Sequence, residues 1–331
     1  MIKDRVKLAG AFALACLCGI APSTSAAGEW PEQPIQIIVP YSAGGAVDVL
    51  TRIISKEMSK DLGQPIIVQP RPGGEGNIAA LAVARAKPDG YTLLSSSAVL
   101  TSIPVLFDDI EWSPKDFTPI ARFATSSGFI ISSAKLPFKT IPELKSYVQK
   151  HPDLPSAVLI GGAYTTIVTH MVGKATGIDL LFVPYQGAAQ HMTDLYEGRV
   201  ALATVSGNLA CGAINDNKVN ILAITGDKRS SAAPDIPTTK EAGIAEVNMQ
   251  GWYGLHAPAG TPPDRVAKIA QALDNAVKKD SVRQALEKAC VTVAYQNPEE
   301  FGKFVNDDIK HWKEAAPMIK TQGKMPTPPK N

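Results

Sequence analysis

Four cysteines in 331 residues are too few for a disulfide framework, and two of them, Cys16 and Cys18, sit in a short apolar run near the start. Cys211 and Cys290 read as two isolated buried thiols, although an oxidising compartment would permit a bridge. Charge of one sign is lacking as well: Lys and Arg number 33 against 31 Asp and Glu. The first 27 residues hold three of the bases and one of the acids, so the remainder carries 30 of each. Such a balance excludes a basic stripe for nucleic acid or for an anionic membrane surface. The five histidines, at 151, 170, 191, 256 and 311, show no H-x-H or H-E-x-x-H spacing, and no cysteine or carboxylate stands beside them at metal-ligand spacing. Neither a metal nor another cofactor is expected. There is no G-x-S-x-G nucleophile elbow, no Walker A lysine and no G-x-G-x-x-G fingerprint. A secreted hydrolase using His170 or His191 therefore lacks its nucleophile, and no catalytic residue is assigned. Beyond the N-terminus, no apolar run is long enough to span a bilayer.

The N-terminus carries an export signal. Lys3, Arg5 and Lys7 precede the apolar run Leu8 to Ala21, and Ser25-Ala26-Ala27 offers small residues for cleavage. Ala13-Leu14-Ala15 before Cys16 places Leu one position off a lipobox, and apolar sequence continues beyond it, so a lipid anchor is not expected. Residues 1–27 are read as a cleaved signal peptide, and the mature chain as a soluble monomer starting near Gly28 in the periplasm.

From Ile35 on, short apolar strands alternate with helical patterns. Strands are expected at 35–39, 66–68, 91–95, 128–132, 156–160, 181–183, 201–205, 221–225, 252–257 and 291–293. Leu50, Ile53, Ile54 and Met58 form one helical stripe; Val266, Ile269, Ala270 and Leu273 form another. The alternation argues for βαβ units and mainly parallel sheets flanked by helices. So many strands suit two α/β lobes. "WSPKDFTPIARF" and "EVNMQGWYGLHAPAG" are the candidate crossings. They divide the chain into one lobe of residues 28–127 and 250–331 and an inserted lobe of 128–249. The carboxyl ends of the strands would face a shared cleft.

The loops that could carry chemistry all follow strands. In "VPYSAGGAVD", Gly44-Gly45 permits a tight turn before a helix whose first N–H groups lack acceptors and suit an anion, a carboxylate better than a nucleotide phosphate. Asp48, in that helix's first turn, fits either a cap or a ligand contact. A second glycine turn, "RPGGEGN", follows the next strand, and Ser95 and Ser96 put hydroxyls at the end of the third. In the inserted segment, "IGGAYTTIVTH" offers Tyr164, Thr165 and Thr166, and "VPYQGAAQHMTDLYEGRV" offers Gln186 with the Gly187-Ala188 backbone. Ser206 ends a further strand. Tyr164 and Phe129 would suit a flat ring if they lay near the cleft, and a core role competes for both.

Taken in order, these segments resemble the substrate-binding proteins of tripartite tricarboxylate transporters, the Bug family of exported solute receptors. The resemblance runs from "WPEQPIQIIVPYSAGGAVDVL" through "VPYQGAAQHMTDLYEGRV" to "PDIPTTKEAG" and "WYGLHAPAGTPP". It implies a two-lobe, Venus-flytrap fold closing on a small carboxylated solute, without enzymatic activity. Delivery would be to a membrane permease of one large and one small subunit; the alternative is a receptor read by a membrane sensor kinase. It also implies that Tyr41, Ser42, Ala43, Gly44 and Gly45 meet the first carboxylate through their backbone. Asp48 matches a residue that can meet an ammonium group in amino-acid-binding relatives, and Ser95 and Ser96 fall on a third cleft loop. Tyr185, Gln186, Gly187 and Ala188 match the loop of the second lobe, where relatives carry a basic residue at the place of Gln186. Where relatives show a G-x-G-S run, this chain has Tyr164, Thr165, Thr166 and Ile167, with His170 kept. The bound acid is expected to be aromatic or a di- or tricarboxylate.

Overall fold

The structure, a computed structural model, describes residues 30–107, 109–152, 155–159, 163–185, 188–214, 217–226, 228–230, 233–247 and 249–320. The leader, the tail at 325–330, and Gln186 and Gly187 of the candidate site lie outside these. Among the described residues no helix is long and apolar enough to cross a membrane.

The chain opens with β1 (Ile35–Val39), β2 (Ile66–Pro70) and β3 (Thr92–Ser97), linked by α1 (Ala46–Leu62) and α2 (Asn77–Ala84), and α3 (Val99–Leu106) follows β3. The long β4 (Phe117–Ser133) leads to α4 (Ile141–Val148), β5 (Pro155–Leu159), α5 (Ala163–Thr176), β6 (Leu181–Tyr185), α6 (Ala188–Tyr196), β7 (Leu202–Ser206), α7 (Gly207–Ile214) and β8 (Val219–Ile224). β9 (Gln250–Pro258) returns to the first half, and α8 (Pro263–Lys278), α9 (Asp280–Lys288), β10 (Thr292–Gln296) and α10 (Pro298–Lys320) complete it.

α1 forms because Leu50, Ile54, Met58 and Leu62 recur at helical spacing and are buried together, and Gly63 at φ 68° ends it. β1 is apolar except at the exposed Gln36, and both of its faces carry buried residues. Ile35, Ile37 and Val39 pack with α1 and α8, whereas Ile38 packs with α2 and Trp252.

β4 is the element the sequence concealed. One strand of 17 residues runs from Phe117 to Ser133, so the expected start at Gly128 is corrected. Pro119 and the polar run Thr125-Ser126-Ser127 masked it, and the ladder absorbs the proline through a register shift between Pro119 and Ala121. Up to Ser127, β4 pairs with β9, and from Gly128 it pairs with β7 and β8.

The pairing directions decide where the loops point. β1, β2 and β3 are mutually parallel, β3 is antiparallel to β9, and β9 is antiparallel to β4. The first three strands therefore run the way β4 runs, toward the Ser127–Gly128 junction. β7 is antiparallel to β4 and parallel to β5, which is parallel to β6, so these three run back toward the same junction. Both sets of carboxyl ends consequently meet at the level where β4 passes from one half to the other.

Cys211 in α7 and Cys290 ahead of β10 form a disulfide with Cα atoms 6.2 Å apart. The expectation of two isolated thiols is thereby corrected. The residues are separated by 79 positions, but β7 and β10 lie on the same flank of β4, and that neighbourhood cannot be read from spacing.

Candidate functional site

β1 ends at Pro40, and the turn that follows is exposed at Ser42, Ala43 and Gly44 and half-exposed at Tyr41 and Gly45. Gly44 stands at φ 79°, a left-handed conformation that favours glycine, whereas Gly45 is extended. The Gly45 N–H donates to the Ser42 carbonyl at 3.1 Å, which closes the turn. α1 then begins at Ala46 with no side chain capping it at Gly45. Helix geometry leaves the N–H groups of Ala46, Val47 and Asp48 without intrahelical acceptors, and the first bond of the ladder runs from Val49 N–H to the Gly45 carbonyl at 3.0 Å. These donors, with the positive end of the helix dipole behind them, form an anion-binding end one to three residues beyond the glycines.

Asp48 is buried, and its carboxylate is fully engaged. Its Oδ2 accepts from the Gly44 N–H and from Arg52 Nε, both at 2.9 Å, and Oδ1 accepts from Arg52 Nη2 at 2.9 Å. Burial raises the Asp48 pKa, but the Arg52 guanidinium and the Gly44 N–H outweigh it, so the carboxyl is held below its ordinary value. Of the two roles open to Asp48, these partners fill the local one: it braces the turn from behind. The i,i+4 spacing of Asp48 and Arg52 was the signal that could have disclosed the pair.

The side chains of Ser95 and Ser96 are buried and hydrogen-bonded within the protein. Successive side chains of a strand point to opposite faces, and both faces of β3 are covered. The Ser95 hydroxyl lies 2.6 Å from Thr51 Oγ1, which itself donates to the Val47 carbonyl. Ser96 Oγ lies 3.0 Å from the Gly254 carbonyl and 2.7 Å from His256 Nδ1. Burial holds the His256 imidazole down to about 3, so it is neutral.

The second half presents a different picture. Thr165 and Thr166 are nearly enclosed, and Ser206 is half-buried at the end of β7. The Tyr185 hydroxyl donates to Asp194 Oδ2 at 2.7 Å, and burial together with that carboxylate pushes its pKa up to about 12. Behind it His191 is fully buried with neither ring nitrogen hydrogen-bonded, and burial lowers it to about 4. Tyr164 reaches the junction of the halves: its hydroxyl donates to the Met249 carbonyl at 2.9 Å and accepts from the Thr225 hydroxyl at 3.1 Å. Phe129 is fully buried between Tyr185 and Ile131. Neither aromatic residue is a free platform for a ring. Ala188 opens α6, next to the two undescribed residues of its loop.

The structure thus brings the exposed turn Tyr41–Gly45, the start of α1 and the ends of β6 and β7 to the same level. It withdraws the side chains of Asp48, Ser95, Ser96, Tyr164 and Tyr185 into the framework. Sequence reasoning missed Thr51, Arg52, Thr225 and His256, which hold these side chains in place. Among the described residues no group of histidine, cysteine or carboxylate side chains has the arrangement of a metal site.

A family model described as the tripartite tricarboxylate transporter family receptor matches residues 50–323. Three solved structures share the fold at comparable identity. MatC from Rhodopseudomonas palustris, with bound malate, is 30% identical at a TM-score of 0.74, over 86% of this chain and 99% of that one. A second R. palustris protein, solved with adipate, is 28% identical at a TM-score of 0.77, over 88% and 98%. The periplasmic binding protein BugD is 31% identical at a TM-score of 0.75, over 89% and 99%.

Proposed function

The chain belongs to the tripartite tricarboxylate transporter receptor family, and we propose that it is a periplasmic receptor whose cleft takes up an aliphatic di- or tricarboxylate. The family is one of two-lobe solute receptors, not of enzymes. The lobes divide at the Ser127–Gly128 junction, one formed by residues 28–127 and 250–331 and the other by 128–249. The observation that carries the reading is the start of α1: unpaired N–H donors behind an exposed glycine turn, with the one nearby carboxylate neutralised by Arg52.

A carboxylate entering there is met by fixed peptide dipoles in place of water, at little reorganisation cost. Tyr41, Ser42, Ala43, Gly44, Gly45 and the first turn of α1 hold one end of the ligand. Thr165, Thr166 and Ser206 face the other end from the second lobe, together with the loop that carries Gln186, Gly187 and Ala188 in sequence. Because both oxygens of Asp48 are engaged, that carboxylate is not free for an ammonium group, and a plain carboxylic acid is favoured over an amino acid. Enclosure of Tyr164 and Phe129 favours an aliphatic chain over a ring, in line with the malate and adipate held by the two related structures. The loaded receptor then delivers its ligand to a membrane permease of one large and one small subunit.

A thermal-shift screen of the chain from Gly28 against organic acids tests this, because a ligand that binds only the folded state raises the melting temperature by mass action. Shifts with C4 to C6 dicarboxylates and none with acidic amino acids are expected. Shifts with glutamate or aspartate alone would overturn the assignment of Asp48.

A further inference from the structure

We propose that Trp312 is a positioning residue for ligand binding: α10 carries it across the lobe boundary, where it sets the stance of α5 and with it the spacing between the two ends of the cleft. The inference rests on the reading of the chain as a receptor whose lobes are residues 28–127 with 250–331 and residues 128–249. It goes beyond that reading by naming a residue, remote from the ligand, on which the cleft depends.

The backbone crosses between the lobes at Ser127–Gly128 and at Met249–Gln250, and the Cys211–Cys290 disulfide joins them a third time. α10 adds a contact that none of these links supplies. β10 runs antiparallel to β4 and so leads away from the junction, and α10 returns along the face of the sheet that carries Trp252. Its first turns belong to lobe 1. Phe301 lies beneath Gly254, where a Cβ would collide with its ring, and Val305 shares a cluster with Ile38, Leu94 and Trp252. Asp308 fastens the next turn: its Oδ2 accepts from Thr101 Oγ1 at 2.5 Å, from Trp252 Nε1 at 3.0 Å and from Trp312 Nε1 at 3.2 Å. Thr101 belongs to α3 and Trp252 to β9, so this anchor lies wholly in lobe 1. Between Phe301 and Asp308 the helix advances from Gly254, opposite Arg122, to Trp252, opposite Thr125, and Trp312 stands about 6 Å farther along it.

α5 meets it from lobe 2. Val168 and Val172 are fully buried in that lobe's core with Ile130 and Leu202, and Thr169 Oγ1 donates to Thr204 Oγ1 of β7 at 2.9 Å. Ile167 and Met171 form the neighbouring stripe of the helix, and this stripe faces lobe 1. Ile167, fully buried, shares an apolar cluster with Leu106 of α3 and with Trp312, Ala315 and Ala316 of α10, and Met171 packs against that cluster. Each helix is thus fixed to its own lobe by one stripe and to the other lobe's helix by another. Any change in the angle between the lobes has to be taken up at this seam, because neither helix can follow the other without leaving its own core. Trp312 is the large side chain that α10 brings there, beside two alanines, and its bond to Asp308 fixes the indole ring. α5 begins at Ala163, so the turn bearing Thr165 and Thr166 moves with the stripe that rests on Trp312.

Double electron–electron resonance between spin labels at Lys56→Cys in α1 and Gln149→Cys after α4, both exposed positions, reads the spread of interlobe distances in the ligand-free mature protein with its disulfide intact. Ile167→Ala and Trp312→Ala should each roughly double that spread, because the packing that limits helix shifts is lost. Trp312→Phe, which keeps a ring in the seam, should restore most of the narrow distribution. The double variant should broaden it no more than the larger single change, since both remove one contact. Val172→Ala, on the stripe that faces the core of lobe 2, should lower the melting temperature and leave the spread unaltered, which separates positioning from stability. Ile167→Ala leaves α10 and its Asp308 anchor intact and decides the matter if Trp312→Ala does not fold. An unchanged spread in Ile167→Ala, or equal broadening by Val172→Ala, would overturn the proposal. The distances are read without ligand, so a failure of every organic acid to bind would count against the receptor reading alone.

Discussion

The two lobes spend their polar side chains differently. In the first, the residues around the cleft turn are bonded so as to free backbone donors: Asp48 holds Arg52 and the Gly44 N–H, Ser95 holds Thr51, and the start of α1 is left open. In the second, Tyr164 closes the lobe junction and Tyr185 is tied to Asp194. The lesson is that a polar residue at a strand's carboxyl end is as often a brace for the cleft as a contact in it. In the proposed reading the first lobe meets the anion through its main chain.

The largest effect that would break this contrast is expected at Gly44. Gly44→Val puts a β-branched residue at φ 79°, which the turn cannot hold without rearranging, so carboxylate affinity should fall about 100-fold, or about 2.7 kcal/mol, by calorimetry. Melting should fall by only a few degrees, since the cost is the strain of a side chain at φ 79° and not a clash, a Cβ at Gly44 meeting nothing within 4 Å. Tyr164→Phe in the second lobe, which removes the bonds of its hydroxyl to Thr225 and Met249, should instead change the ligand dissociation constant by less than about tenfold. Next in size is Asp48→Ala, which strands the Gly44 N–H and a half-exposed Arg52. A loss of about 1–2 kcal/mol of stability is expected in urea titration, with a roughly tenfold weaker affinity.

Acid should act on both lobes. Folded-state pKa values of about 4 for His191 and about 3 for His256 lie below the ordinary 6.5, with burial as the cause in each case. The folded chain then binds fewer protons than the unfolded one. Their contribution to stability is whole above pH 6.5 and is lost as pH falls toward 4 and then 3. Asp48, also depressed, adds a loss below its ordinary 3.8. The melting temperature should drop steadily between pH 7 and pH 4. His191→Leu should flatten part of that slope, because neither of its ring nitrogens has a bond to lose. Smallest is Ser96→Ala, expected to cost about 1 kcal/mol in urea titration through its bonds to Gly254 and His256 while leaving ligand affinity unchanged.

Much of the architecture was legible. Apolar periodicity located all or part of each described strand and the stripes of α1 and α8, because these patterns are what burial on one or two faces demands. The crossing strand was not: Thr125-Ser126-Ser127 looks like a loop until its partners on both flanks are known. The glycine turn before α1 was readable because left-handed backbone and a helix start leave marks in sequence. The destinations of the Ser95 and Tyr164 hydroxyls left none, since Thr51, Thr225 and Met249 come from elsewhere in the chain. For the same reason Cys211 and Cys290 looked separate.

The most direct test of the cleft's assignment is calorimetric titration of malate and adipate into the mature protein and into Gly44→Val, with thermal melts of both in parallel. Binding of at least one of the two acids by the unaltered protein, and its loss in a variant that still melts cooperatively within a few degrees of it, is the predicted result. Equal affinity in the two proteins would contradict the assignment of the anion to the turn and the start of α1.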